Sequence, residues 1–138
     1  MKENLKTFMN RLEVIDAFIG FVGVIIILLG ALVMQFLYKE EPCPLCLLQR
    51  AAFVGVGISF LLTLRYGNRT AHWASAILCA CAGMAVSIRQ ICLHLTDPTG
   101  FGSAVFGLHM YTWCFIGFSV VIVGSAAVLL LYPEQAER

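Results

Sequence analysis

Two cysteines at Cys43 and Cys46 enclose Pro44 and Leu45, and an arginine follows at Arg50. A Cys-x-x-Cys pair at the start of a helix can close a small, reducible disulfide. The helix N-terminus stabilises a thiolate and makes it a better leaving group. Pro44 fixes one backbone torsion and lacks a donor, which suits a helix entrance. Thiol–disulfide exchange is the chemistry this spacing points to. The alternatives are a static structural bridge, two idle thiols, or half of a metal site. A zinc site needs further ligands, and no second Cys/His pair follows in an outer loop, so no metal is expected. Arg50 lies four residues after Cys46, one turn further along the helix. It can stabilise a thiolate on Cys46 or hydrogen-bond a carbonyl oxygen of an electron acceptor. It can also simply snorkel to an interface.

The elements that must hold these residues are apolar. The chain has 138 residues, 60% of them hydrophobic and 12% charged, with a mean hydropathy of +0.88. A soluble domain of this size has too much surface to hide that sequence. Disorder is excluded by the same composition. The formal net charge of +1 offers no field for nucleic acid. Four apolar blocks remain, each long enough for the roughly 20 residues that cross a bilayer core of about 30 Å. The spacing predicts helices over about 14–38, 46–65, 73–95 and 108–132, in a single domain spanning 1–138. The fold class is all-α: a polytopic, four-transmembrane-helix bundle. Glu13 and Asp16 stand where a cleaved leader would be basic, so the first block is expected to be a retained helix. Lys2, Lys6 and Arg11 precede it, and Arg65 and Arg69 lie in the second connection. The positive-inside rule then puts both termini in the cytoplasm and the Cys43–Cys46 loop outside.

Counting turns gives depth. Tyr66, Trp73 and Tyr132 mark the expected inner level. At 1.5 Å per residue, Arg50 and Arg89 both lie about 24 Å above it. Cys46, Cys92, His94, Cys114 and Met110 fall between about 27 and 33 Å. One outer layer therefore collects polar and soft residues from three helices. His94 or Arg89 is placed there to serve an acceptor's second carbonyl. Cys92 and Cys114, matched in depth, are candidates for a second redox pair, or else two independent buried thiols. Cys79 and Cys81 are expected to be packing residues. His94 and His109 flank the third connection as hydrogen-bond donors, proton carriers or interface residues.

The chain resembles the DsbB family of inner-membrane thiol–quinone oxidoreductases. The most specific match is Pro42-Cys43-Pro44-Leu45-Cys46-Leu47-Leu48-Gln49-Arg50, the family's P-C-x-x-C-x-x-x-R pattern. A weaker match is Gly107-Leu108-His109-Met110-Tyr111-Thr112-Trp113. The resemblance implies that Cys43 and Cys46 are the redox pair and that Arg50 and Met110 contact quinone. The quinone, ubiquinone or menaquinone, would be the electron acceptor. A periplasmic DsbA-like thioredoxin-fold protein would be the dithiol partner, and the bacterial inner membrane the location. The segment from Thr96 to Gly107 has no cysteine, so the resemblance is to short-loop members that lack a second external pair. Two other readings of the same residues stand beside this one. One is a non-catalytic membrane protein with a structural Cys43–Cys46 bridge. The other is a vitamin-K-epoxide-reductase-like quinone reductase, although in that family the Cys-x-x-Cys lies near a later helix.

Overall fold

The computed structural model describes residues 1–41, 43–97 and 104–131. Among them are four helices: α1 (Lys2–Tyr38), α2 (Pro44–Tyr66), α3 (Thr70–His94) and α4 (Met110–Leu131). All four are long and apolar enough to cross a membrane. The chain is a multi-pass, all-α membrane protein. Large apolar side chains such as Ile26, Leu78 and Val123 lie on the outer surface. That surface is expected to face lipid, where a helix satisfies its own backbone.

Local chemistry sets the helix ends. α1 starts at Lys2, earlier than the apolar pattern alone indicates. Residues 2–12 contain no Gly or Pro, and Glu3 sits favourably in the first turn. α1 stops at Lys39, which adopts a left-handed conformation (φ 50°). Cys43 caps α2, Pro44 opens its first turn, and Gly67 (φ 89°) ends it. Between α3 and α4 lies a small antiparallel ribbon of β1 (Ala104–Val105) and β2 (Leu108–His109). Phe106 and Gly107 both have positive φ, the requirement of a tight two-residue hairpin turn. This ribbon delays α4 to Met110, two residues past the expected start. Pro42, Tyr132 and the centre of the third connection lie outside the described residues.

Each helix packs extensively only on its sequence neighbours, α1 on α2, α2 on α3 and α3 on α4. α1 and α4 flank the central pair of helices and approach each other where Ile27 lies near Gly117. The core is aromatic where the helices meet. Phe53 stacks on Phe118 with ring centroids 4.0 Å apart. Phe118 can lie there because residue 83 is glycine: a Cβ would sit 2.2 Å from the ring. Small residues at such crossings let transmembrane helices pack closely.

At the other end of the bundle, Trp73 stands near the start of α3 with its side chain in the core. It is 3% exposed and packs edge-on against Phe60. Its indole Nε1 donates to Asn68 Oδ1, and Asn68 Nδ2 donates to Glu13 Oε2. Glu13 is fully buried. This chain of bonds ties α1 to the turn between α2 and α3 and gives the indole a partner inside the bundle.

Candidate functional site

Cys43 occupies the N-cap of α2, and its sulfur accepts the Cys46 backbone N–H at 3.2 Å. Sulfur here takes the role usually filled by a Ser or Asp oxygen. Cys46 then sits in the first turn, with its Sγ 2.8 Å from Cys43 Sγ. The two thiols are placed for disulfide chemistry with each other.

Beneath them is a cavity of about 90 Å³. Its walls come from α1 (Ile27 to Gln35), the following loop (Glu40 and Glu41), α2 (Cys46 to Phe53), α4 (Met110 to Cys114) and Gln90 of α3. It occupies the gap between the two flanking helices. Ile27, Leu28, Phe53 and Met110 make it largely apolar. Phe53, which stacks on Phe118, is part of its wall.

Four of the residues singled out in the sequence meet here. Cys46, Arg50, Met110 and Cys114 all line the cavity, and Cys43 touches it through Cys46. Arg50 Nη1 donates to Gln35 Oε1 at 2.7 Å, and Nη2 lies 3.4 Å from the Ala31 carbonyl. A guanidinium has five N–H donors, so these two contacts hold it against α1 and leave others for a ligand. His94 is not in the lining. Its Nδ1 lies 2.8 Å from the Gln90 carbonyl, which can only accept, so Nδ1 carries the hydrogen. Its ring stacks on Tyr111, which does line the cavity, and His109 also stacks on Tyr111.

Arg89 and Cys92 lie on the exposed surface of α3 and do not line the cavity. The reason is angular. Successive helical residues turn by about 100°, so Arg89 and Cys92 share a depth with buried Gln90 but not its face. Cys114 is thus brought next to Cys46 and Arg50 rather than to Cys92. Cys79 is half-buried, packed where a Cβ on Gly55 would meet its sulfur, while Cys81 is exposed.

The polar centre of the site is a set of uncharged residues. Gln90 is 1% exposed, and its Nε2 points at Cys43 Sγ (3.7 Å) and Cys46 Sγ (3.6 Å). Its Oε1 accepts from Gln49 Nε2 at 3.0 Å, which also donates to Ser87 Oγ at 3.1 Å. Ser87 in turn donates to the Gly83 carbonyl. Sequence reasoning passed over Gln35 and Gln90. Their signal was an amide inside an apolar block, where lipid offers it no partner. No group of three or more His, Cys, Asp or Glu able to hold a metal occurs among the described residues.

Comparison with known proteins identifies a family. The family model "Disulfide bond formation protein DsbB" matches residues 16–102, from α1 to the connection before α4. A Disulfide bond formation protein B of Burkholderia ambifaria is 27% identical over 139 residues, covering 76% of this chain and 82% of its own. Its counterpart in Cupriavidus necator is 38% identical over 84 residues, 60% of this chain and 48% of the relative. That of Cupriavidus metallidurans is 31% identical over 104 residues, 74% of this chain and 59% of the relative. The two Cupriavidus matches thus span about half of those proteins. No solved structure matches. With a Cys-x-x-Cys at the mouth of a membrane cavity and a family match over most of its length, this chain belongs to the DsbB family of disulfide bond formation proteins.

Proposed function

We propose that the protein is a membrane thiol–disulfide oxidoreductase of the bacterial inner membrane. It takes electrons from a periplasmic, thioredoxin-like dithiol partner and passes them to membrane quinone. One observation carries this reading. Cys46 is hydrogen-bonded to the Cys43 thiol at one side and borders a largely apolar, arginine-bearing cavity at the other.

The residues fit a quinone headgroup. Ile27, Leu28, Phe53 and Met110 offer flat apolar contact, and Arg50 offers N–H donors to a carbonyl oxygen. A bound quinone would supply a two-electron acceptor that is soluble in lipid. The remaining work belongs to the chain. The Cys43–Cys46 disulfide is opened by a thiolate of the partner, and a mixed disulfide forms on one cysteine while the other leaves as thiolate. A second partner thiolate releases the partner in its oxidised form and leaves Cys43 and Cys46 reduced. Gln90 donates to both sulfurs and stabilises the anionic form of whichever ionises. Arg50 stabilises negative charge developing in the cavity. Loss of two electrons and two protons from the pair restores the disulfide. His94, held on the Gln90 carbonyl of its own helix, stacks on Tyr111 and acts as a positioning residue for that ring.

The test uses purified, reduced protein in detergent with ubiquinone-1, followed by loss of quinone absorbance. Stoichiometric reduction that disappears with Cys46→Ala is expected. No reduction, or reduction unchanged by that substitution, overturns the proposal and leaves a structural bridge as the role of the pair.

A further inference from the structure

α1 is the longest helix and the least covered one. It has 37 residues, about 55 Å, against an apolar bilayer core of about 30 Å. Its first three turns therefore extend past the apolar layer. The bundle holds α1 by one face, marked by buried Glu13, Ala17 and Val24. The opposite face carries a repeat. Leu5, Phe8, Leu12, Ile15, Ile19 and Val22 alternate in steps of three and four, and the same spacing continues to Phe36. These are the a and d positions of a heptad, rotated by about 150° from the bundle-facing side. Leu5 and Phe8 are each 60% exposed, and Ile19 is 62% exposed.

The register is informative in residues 2–12, where polar side chains surround it. At 100° per residue, Leu5, Phe8, Met9 and Leu12 fall within an arc of about 100°, and every polar residue lies outside it. This water-side stripe runs without a break into the membrane-side stripe. Lipid can cover only the second part. A parallel helix carrying the same repeat covers both.

The flanking charges specify that helix. Arg11 takes a g position and Asp16 the following e position, and both are exposed. In a parallel pair, a g residue faces the e residue five positions on in the other helix. Arg11 of each copy then meets Asp16 of the other. Gly23 and Gly30 occupy the next two e positions, with nothing within 4 Å of where a Cβ would stand. Two copies inserted in the same direction present α1 in parallel automatically, as a two-fold axis along the membrane normal requires.

We infer that the exposed heptad face of α1 docks a second copy of this chain, forming a parallel homodimer fixed by reciprocal Arg11–Asp16 ion pairs. This surface lies away from the cavity, so the inference does not depend on the redox reading.

The experiment uses the full chain, fluorescently labelled and reconstituted in liposomes, with subunits counted by single-molecule photobleaching as protein density rises. The parent should move from one-step to two-step traces. Arg11→Asp and Asp16→Arg should each weaken association roughly tenfold, since two symmetry-related pairs are lost and replaced by repulsion. The double variant, with the charges exchanged, should recover it. In parallel, p-benzoylphenylalanine in place of Phe8 should photocrosslink one copy to another, while the same probe in place of Leu78 on α3 should not. One-step traces for the parent at every density, failure of the double variant to recover, or a Phe8 probe that captures only lipid or a different protein would each overturn the inference.

Discussion

Replacing Gln90 by Leu removes the one side-chain amide that reaches both redox sulfurs. The amide contacts are 3.7 Å to Cys43 Sγ and 3.6 Å to Cys46 Sγ. After the change, Cys43 Sγ keeps the Cys46 backbone N–H at 3.2 Å, and Cys46 Sγ keeps only its contact with the Cys43 thiol. A hydrogen bond to a charged group contributes about 1.5–3 kcal/mol. These contacts are long, so the lower end applies, and ~1.5 kcal/mol corresponds to roughly a tenfold loss of thiolate-dependent rate. Gln90→Leu should therefore lower kcat for ubiquinone-1 reduction about tenfold while KM stays within about twofold. Iodoacetamide should alkylate Cys46 of the reduced protein correspondingly more slowly, because the thiolate is the nucleophile. The variant also strips Gln49 of an acceptor at 3.0 Å, a loss of about 1–3 kcal/mol in a buried network. Gln90→Glu tests the same position with a charge. It retains an acceptor for Gln49 but sets a buried carboxylate against the thiols, so the rate should fall at least as far and stability should fall as well. If both variants alkylate and turn over within twofold of the parent, Gln90 does not stabilise the thiolate, and the reasoning fails.

Other perturbations read other parts of the structure. Arg50→Ala should raise KM for ubiquinone-1 about tenfold or more, the equivalent of one charged hydrogen bond; an unchanged KM removes Arg50 from the acceptor site. In the oxidised protein, Cys92 should label quickly with maleimide and Cys114 slowly, because one is exposed and the other lines the cavity; mass spectrometry showing a Cys92–Cys114 disulfide would refute that placement. Gly83→Ala should destabilise the bundle by about 1–3 kcal/mol through the clash with Phe118; a thermal midpoint equal to the parent's would contradict the packing. Trp73→Phe should cost about 1 kcal/mol by removing the donor to Asn68, seen as a lower thermal midpoint with quinone reduction intact.

Much of the architecture is legible from the sequence because lipid imposes a crude rule, that length and apolarity make a spanning helix. The start of α2 is legible too, since Cys43, Pro44 and Arg50 each state a local preference. Depth follows from counting turns, and it correctly gathers Cys46, Arg50, Cys114 and Met110 into one layer. Azimuth does not follow. Arg89 and Gln90 are neighbours at one depth, yet the charged residue faces outward and the amide is buried. In a helix apolar on every side, no pattern marks the inner face, so tertiary contact decides it. The ribbon before α4 was illegible because its turn relies on Phe106 in a left-handed conformation, which a Phe-Gly pair only weakly signals.

The stacked pair of Phe53 and Phe118 has a consequence for insulation. Both rings are almost wholly buried, and Phe53 lines the cavity. A thiolate or a small hydrophilic reductant cannot cross such a hydrocarbon plug without losing its hydration. The packed rings make this part of the bundle a barrier to hydrated species. Under the proposed function, electrons from the cysteines then leave on a lipid-soluble carrier rather than by a polar route past these rings.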